Sequence, residues 1–347
     1  MTARRSSTVG SDPTIRSRTF STPRHTTRFL ESGPDDGPLM FFLHGFPSIG
    51  LIWRAQLESF AEDGWHCIAP DLRGYGGSSV PGAKDAYRVE EIVTDLVELH
   101  DHLGGVTALW VGHDWGSAVV GALAAHQPGR CRGVVLTSWA YYPTANSLAT
   151  LVPLVDRNLY PAEEYPDGQW DYFRYYTTDF DAAVADLDAD VEASLASAYR
   201  SGDPAATTEI SPLAVVTRNG GRFGADHRAP LARPDPALWP TADFDALVEA
   251  FDAHGFRGPS AWYTNDDANM AYAATAIDNG QLSMPVLFVN GEWDAICNIS
   301  GNQQGEPMRA ACPQLSVVSL PAGHWLPLER KLEHIVTLRT WIAGQGL

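Results

Sequence analysis

The stretch LWVGHDWGSAVVGALAAHQPG, residues 109–129, joins a strand-like run of apolar residues to a helix-like run of small ones. Asp114 stands between the two runs, with Gly112 before it and Gly116 after it. A strand that enters a helix through such a turn forces the middle residue into a strained, exposed position. The N–H groups and the dipole at the helix start stabilise a negative charge there. The sequence therefore predicts an accessible carboxylate at this corner. The alternative is that the aspartate is an ordinary N-cap residue, which the same sequence would also fit.

Short apolar runs alternate with helical patterns along much of the chain, which is typical of a mostly parallel sheet with helices on both faces. Residues 87–103 place apolar side chains near a 3.6-residue period and predict one crossover helix. We therefore predict an α/β fold with a mostly parallel, doubly wound sheet. The predicted strands are residues 39–43, 66–69, 107–111, 133–137, 285–289 and 315–320.

The alternation stops between residues 140 and 278, where helical patterns lie at 182–199 and 242–254 without strand signals. This segment is predicted to be an inserted helical lid over the carboxyl ends of the strands, where open α/β sheets bind ligands. The core then consists of residues 21–139 and 279–347. Residues 1–20 are rich in Ser, Thr and Arg and are predicted to form a flexible tail.

The composition excludes several classes of partner. Lys and Arg number 24 against 42 Asp and Glu, and the net charge of −18 would repel nucleic acid and anionic lipid surfaces. No run of about 18 apolar residues is present, so we expect no membrane span. The scattered Cys67, Cys131, Cys297 and Cys312 form no CxxC pair. No disulfide framework is therefore indicated, and a reducing cytoplasm is the expected location. We also expect no metal site, and a monomer or a homodimer.

Six short motifs occur in one order between residues 40 and 330, and together they are far more specific than any one alone. The chain resembles the α/β-hydrolase superfamily, and within it the epoxide hydrolases of the soluble type. The motifs are HGFP at 44–47, DLRGYGGS at 71–78, GHDWG at 112–116, WYTN at 262–265, GEWD at 291–294 and GHW at 323–325.

The nucleophile restricts the reaction. A carboxylate that attacks a strained or activated sp3 carbon forms an alkyl ester, which water can later cleave. The substrate should therefore carry an epoxide or a carbon–halogen bond. The resemblance implies a small apolar epoxide and water as reactants, with no cofactor.

The second step needs a base and an acid that orients it. His324 matches the family's base, and Asp294, just after a predicted strand, matches the family's acid. The other acid position that some relatives use reads SWAYYP here and has no carboxylate. The order Asp114, Asp294, His324 is the order that this fold requires.

Two backbone N–H groups are expected to hold the oxyanion of the second step, those of Phe46 and Trp115. The resemblance also implies that His113, Trp115, Phe46 and Trp325 contact the substrate. His44 is expected to brace the loop that carries Phe46.

The loop DLRGYGGS is expected to be held by an internal pair. Asp71 and Arg73 carry opposite charges two positions apart and are predicted to form that pair. We expect no catalytic role for either residue.

Opening an epoxide leaves charge on its oxygen, which needs a proton donor. The resemblance implies two lid tyrosines, Tyr263 in WYTN and Tyr172 in WDYFRYY. Tyr175 and Tyr176 lie close enough to be the second donor instead, and an aromatic stripe on a lid helix would give the same pattern. Thr264 departs from relatives that carry a basic residue there, which leaves the shape of the substrate open.

Three other functions fit parts of the pattern. A haloalkane or haloacid dehalogenase also uses an aspartate nucleophile, although haloacid enzymes commonly carry Arg directly after it, where this chain has Trp115. A binding protein without catalysis would show a broken triad, and no member is missing here. A biosynthetic enzyme that opens a ring in one complex metabolite would share all the residues named above.

Overall fold

A computed structural model describes residues 15–347. Its centre is an eight-stranded sheet in the order β1-β2-β4-β3-β5-β6-β7-β8, in which β1 and β2 run antiparallel to their neighbours and the other strands are parallel. The strands are β1 (Arg16–Ser21), β2 (Thr26–Ser32), β3 (Leu39–Leu43), β4 (His66–Pro70), β5 (Ala108–His113), β6 (Cys131–Thr137), β7 (Val286–Gly291) and β8 (Leu315–Leu320). The core helices are α1 (Arg54–Glu62), α2 (Val89–His102), α3 (Trp115–His126), α11 (Glu306–Ala311), α12 (Leu326–Glu329) and α13 (Lys331–Gln345).

Helices cover both faces of the sheet. Successive side chains of a strand point to opposite faces, so neighbouring residues contact different helices. In β3, Phe41 lies beside His100 of α2, while Phe42 lies beside Phe60 of α1. Strands that are buried on both faces need continuous apolar runs, and all five residues of β3 are buried. The predicted doubly wound sheet is confirmed, and so are its six predicted strands.

The edge strands β1 and β2 were not predicted. Residues 16–20 form most of β1, so the prediction of a flexible tail is wrong for them, and residues 1–14 lie outside the described part of the chain. β1 is largely exposed and has no alternating apolar pattern. It is held by its backbone ladder with β2 and by the ion pair of Arg18 with Glu31, at 3.0 Å. Neither of these interactions leaves a local sequence signal.

The segment between β6 and β7 contains only helices and turns. The pattern at 182–199 is split into two helices, because Asp190 caps the second one by accepting a hydrogen bond from the Ala193 N–H at 3.1 Å. The lid boundaries at 140 and 278 stay a prediction. The helices are α4 (Leu148–Leu151), α5 (Asp171–Thr178), α6 (Phe180–Asp188), α7 (Val191–Ala198), α8 (Thr241–His254), α9 (Arg257–Ala261) and α10 (Asp266–Ala273).

The lid is hydrogen-bonded to loops that follow the strands. The Tyr199 hydroxyl donates to the carbonyl of Pro47, which lies after β3, at 2.7 Å. The indole of Trp325, which lies after β8, donates to the carbonyl of Ala198 at 2.7 Å. These contacts place the lid over the carboxyl ends of the parallel strands, as predicted.

The predicted pair of Asp71 and Arg73 is wrong. Arg73 forms two 2.7 Å hydrogen bonds with Asp95 of α2. Asp71 instead accepts hydrogen bonds from the N–H groups of Gly50 and Gly77, at 2.9 and 3.0 Å. Both residues still hold their loop, Arg73 through a partner outside it and Asp71 through Gly50 outside the loop and Gly77 within it.

Across residues 15–347, no helix combines the length and the apolar composition that crossing a membrane would require. The four cysteines are buried free thiols.

Candidate active site

Asp114 occupies the turn between β5 and α3 with φ 53° and ψ −126°, a backbone conformation that costs energy for a residue with a Cβ. The turn requires glycine on both sides. A Cβ on Gly116 would lie 2.1 Å from the carbonyl oxygen of Leu43, and a Cβ on Gly112 would lie 2.4 Å from that of Gly116. The Asp114 side chain does not cap α3, so the interpretation as an ordinary N-cap is wrong.

Two backbone N–H groups point at the Asp114 carboxylate. That of Phe46 donates to Oδ1 at 2.7 Å, and that of Trp115 is a second donor. The approach of the Phe46 loop requires Gly45, because a Cβ there would lie 2.2 Å from Oδ1. His44 braces this loop: its Nδ1 donates to the Gly45 carbonyl at 2.9 Å, and its Nε2 accepts from the Leu72 N–H at 3.0 Å. Burial lowers the pKa of His44 to about 4, so this histidine stays neutral.

His324 faces the carboxylate from the loop after β8. Its Nε2 lies 3.6 Å from Oδ2 of Asp114, and its Nδ1 donates to Oδ2 of Asp294 at 2.9 Å. The His324 carbonyl accepts hydrogen bonds from Nε2 of His113 at 2.7 Å and from the Ser138 hydroxyl at 3.0 Å. The three predicted triad residues are thus brought together, with the imidazole between the two carboxylates.

Asp294 lies just after β7, and both of its oxygens are hydrogen-bonded. Oδ2 faces His324, while Oδ1 accepts from the N–H groups of Ile296 and Cys297 at 2.9 and 3.0 Å. Burial opposes the charge of this carboxylate, but the imidazole and the N–H groups outweigh burial and lower its pKa. Asp294 therefore stays ionised and orients the imidazole.

The two carboxylates control the protonation of His324. Burial alone would lower the pKa of its imidazole, but the charges of Asp294 and Asp114 and the hydrogen bond to Asp294 raise that pKa to about 9. Burial raises the pKa of Asp114 above its ordinary value, and His324 and the two N–H donors limit the rise. The raised pKa of His324 favours the imidazolium form beside Asp114 at neutral pH.

A cavity of about 140 Å³, called the Asp114 cavity below, opens beside these residues. We call the buried lining residues its floor and the half-buried lining residues its mouth. The floor residues are Phe46, Pro47, Asp114, Tyr172, Tyr263, Cys297 and Trp325. The mouth residues are Ala198, Leu213, Arg222, Ile296 and His324.

Tyr172 and Tyr263 lie together on the floor of the Asp114 cavity, with ring centroids 5.9 Å apart. Burial raises the pKa of both hydroxyls well above 10, so both remain protonated donors. Tyr175 instead donates its hydroxyl to the Gly220 carbonyl at 3.1 Å. Tyr176 stacks on the outer side of Tyr263 at 4.6 Å and does not line the cavity. The geometry therefore favours Tyr172 over its two neighbours as the second donor.

The predicted substrate contacts divide into two groups. Phe46 and Trp325 line the Asp114 cavity, whereas His113 and Trp115 do not. The Trp115 ring packs edge-on against Trp139 and Tyr263, with centroids 5.1 and 5.2 Å apart, so only its backbone serves the site. His113 is fully buried beneath His324 and acts through its hydrogen bond to the His324 carbonyl.

Sequence reasoning missed part of the lining. Leu213 and Arg222 come from lid segments without a motif, and Cys297 was considered only as one of four scattered cysteines. Arg222 stands in the glycine-rich run NGGRFG, where the sequence carries no periodicity. The only local signal was a positive charge in an acidic chain.

Two groups of side chains in the described residues have the composition of a metal site, and one of them lies at the active site. Potential ligand atoms of Asp294, Cys297 and His324 lie within 4.8 Å of one another. Nδ1 of His324 and both oxygens of Asp294 are already hydrogen-bonded, and burial raises the pKa of the Cys297 thiol well above its ordinary value. The arrangement therefore fits a hydrogen-bonded triad better than a metal centre.

A parallel sheet with an elbow nucleophile, an acid after β7 and a histidine after β8 defines the α/β-hydrolase class. The sequence matches the family described as alpha/beta hydrolase fold over residues 38–331. Epoxide hydrolase A of Mycobacterium tuberculosis is 30% identical, with 92% of this chain and 95% of the relative covered. Epoxide hydrolase B of the same organism is also 30% identical, with 90% and 94% covered.

Solved structures give the same result. The crystal structure of epoxide hydrolase A from Mycobacterium thermoresistibile superposes with a TM-score of 0.77 at 29% identity, covering 95% of this chain and 99% of that one. An epoxide hydrolase from an endophytic Streptomyces reaches 0.76 at 29% identity, with 95% and 96% covered. The chain therefore belongs to the α/β-hydrolase family and, within it, to the epoxide hydrolases.

Proposed function

We propose that this protein hydrolyses an epoxide to a vicinal diol through a covalent alkyl ester on Asp114. The observation that carries the proposal is the arrangement around one small cavity. A carboxylate faces an imidazole at 3.6 Å, and the hydroxyl-bearing rings of Tyr172 and Tyr263 share the same cavity floor. Such a site can attack a carbon, protonate the oxygen that leaves that carbon and then activate water.

In the first step Asp114 attacks a ring carbon of the epoxide. Oδ1 is held by the Phe46 N–H, so Oδ2 is the free attacking atom. The carbon–oxygen bond of the ring breaks, and the ring oxygen takes a proton from Tyr172 or Tyr263. The products of this step are an ester of Asp114 with a neighbouring hydroxyl group and a tyrosinate. The tyrosinate takes up the proton that the imidazolium of His324 loses once Asp114 is no longer charged.

In the second step neutral His324 removes a proton from water, and the resulting hydroxide attacks Cγ of the ester. The negative charge then develops on Oδ1, where the N–H group of Phe46 already points, and the N–H group of Trp115 is a second donor to the same carboxyl group. When the bond from Cγ to the ester oxygen breaks, His324 returns its proton to the alkoxide and the diol leaves. Asp114 is left as a carboxylic acid that keeps one oxygen from water, and its proton passes to His324, which restores the resting carboxylate and imidazolium.

The charges set the order of the steps. While Asp114 is ionised, its charge helps to hold His324 as an imidazolium, which cannot act as a base. Ester formation removes that charge, so the pKa of His324 must fall. The histidine therefore becomes a base only after the intermediate exists.

Dehalogenation would use the same Asp114 but would need no proton donor, since halide leaves as an anion. The placement of Tyr172 and Tyr263 on the cavity floor supports an epoxide instead. Chloride release from a haloalkane would count against this choice, and diol formation from styrene oxide would support it.

The cavity also supports a small substrate with an apolar body. Its volume of about 140 Å³ is close to that of an engineered apolar cavity, about 150 Å³, that holds benzene in another protein. Styrene oxide is therefore a suitable first probe. The cytoplasmic location and the choice between monomer and homodimer stay predictions.

The decisive experiment replaces the base. With styrene oxide, His324→Gln should accumulate a protein adduct whose mass increase equals the mass of the substrate, because the ester forms but is not cleaved. Asp114→Ala should form no adduct. His102→Gln makes the same exchange at an exposed histidine on α2 and should turn over without accumulating ester.

Normal turnover by Asp114→Ala would refute the proposal at its first step. A single turnover in oxygen-18 water tests the route independently. The first diol released should carry unlabelled oxygen, because that oxygen comes from Asp114, and the label should appear in the protein. A labelled first diol would mean that water attacks the epoxide directly.

A further inference from the structure

Arg222 contributes a positive charge to the mouth of the Asp114 cavity. The other mouth residues besides His324 are apolar: Ala198, Leu213 and Ile296. The chain carries a net charge of −18, so a cation at this place does not reflect a generally basic surface. The mechanism proposed above does not use it.

The guanidinium group of Arg222 has no ion-pair partner within residues 15–347. The nearest candidate, Asp186, accepts a hydrogen bond from the Arg222 backbone N–H at 3.0 Å through Oδ2. Its other oxygen is bonded to Nδ1 of His227 at 2.8 Å. The carboxylate of Asp186 therefore fixes the backbone at Arg222 and leaves the guanidinium available.

The guanidinium is close enough to two tyrosines of the lid for its charge to act on them. Its charge acts on the hydroxyls of Tyr172 and Tyr176, where it partly offsets the rise in pKa that burial causes. Arg222 is half-buried, whereas Tyr172 is buried. Arg222 is therefore the more solvent-exposed of these two residues that line the cavity.

We propose that Arg222 binds a carboxylate of the substrate, so that the preferred substrate is an epoxide of a short-chain organic acid. The inference rests on the proposed epoxide hydrolysis and specifies its substrate. A planar guanidinium offers two parallel N–H donors that match a carboxylate. A phosphate would bring a second negative charge toward Asp114 and is disfavoured.

The size of the cavity restricts the chain between the two groups. The cavity takes the epoxide and a body about the size of a benzene ring, and Arg222 lines the same cavity at its half-buried mouth. The carboxylate should therefore be a few carbons from the epoxide. Hexanoate with an epoxide at the end opposite its carboxylate, called epoxyhexanoate below, has this length. The primary amide of the same compound has nearly the same shape but carries no charge.

The test compares kcat/KM for epoxyhexanoate and for its amide. The wild-type protein should prefer the acid, and Arg222→Gln should lower the ratio of acid to amide about 10- to 100-fold, mainly through KM, since a charge-assisted hydrogen bond is lost. Arg222→Lys should retain part of the preference. Arg233→Gln removes the same charge from an exposed lid residue and should leave the ratio as in wild type.

An unchanged ratio in Arg222→Gln would overturn the proposal. So would an equal fall in kcat for acid and amide, because that result would mean that Arg222 acts on the acidity of the tyrosines. A wild-type preference for the amide would overturn it as well. If the wild type hydrolyses neither the amide nor styrene oxide, the epoxide hydrolysis itself is refuted, and this outcome is distinct from the others.

Discussion

Replacing Asp114 by Asn should lower the pKa of His324 without changing the shape of the site. Nε2 of His324 lies 3.6 Å from Oδ2 of Asp114, and the pKa of the imidazole is raised to about 9. Two charges about 4 Å apart interact by about 4 kcal/mol at an effective dielectric constant near 20, which corresponds to at most about three pKa units. Asp294 contributes the larger part of the rise, so we expect a fall of about one to two units.

The assay is a pH titration of the histidine ring signals by NMR, with His324→Gln used to assign the resonance. Mass spectrometry should verify that the Asn side chain at position 114 remains intact. Asn at position 114 is uncharged, as Asp114 is in the ester intermediate. The pKa of His324 in this variant is therefore the pKa that we expect when His324 acts as the base in the second step. If His324 titrates at the same pH in wild type and in Asp114→Asn, the charge-controlled order of the two steps is refuted.

Two further changes test the first step. The double variant Tyr172→Phe with Tyr263→Phe should slow alkylation by about 100-fold or more in single-turnover experiments, because no proton donor remains for the epoxide oxygen. Gly45→Ala should lower kcat by about 100-fold, because the new Cβ would lie 2.2 Å from Oδ1 of Asp114 and displace the nucleophile. Full alkylation by the double variant, or unimpaired turnover by Gly45→Ala, would contradict the respective role.

Both changes have matched controls. Tyr175→Phe removes a hydroxyl from the same helix, α5, that points away from the cavity toward Gly220, and should alkylate at the wild-type rate. Gly129→Ala adds a methyl group at a position with no atom within 4 Å and should keep normal turnover. These controls separate loss of chemistry from loss of folding.

The core of the site could be predicted because each piece is specified locally. Gly112, Asp114 and Gly116 impose one turn, and strands buried on both faces leave continuous apolar runs in the sequence. Since the carboxyl ends of parallel strands meet at one edge of the sheet, residues that follow β5, β7 and β8 must converge there. The distances around His324 follow from this topology and not from their separation in the chain.

The lid could be predicted only as a helical insert. Its aromatic side chains are nearly all buried, so composition does not distinguish Tyr172, which faces the cavity, from Tyr175 and Tyr176, which do not. The difference depends on which face of α5 meets the core, and this is set by contacts such as that of Tyr175 with Gly220. Arg222 was missed for the same reason, because its place depends on the carboxylate of Asp186, far away in sequence.

The Asp114 carboxylate is asymmetric in the resting site, and this asymmetry links the two steps of the mechanism that we propose. Oδ1 already accepts a short 2.7 Å hydrogen bond from Phe46, which makes it the poorer nucleophile and leaves Oδ2 to attack. The same N–H then meets the charge that water attack places on Oδ1, so no donor has to move when that charge appears. The N–H donor that stabilises the oxyanion of the second step therefore also selects the attacking oxygen of the first step. His324, which lies on the Oδ2 side, is next to the ester when water must be activated.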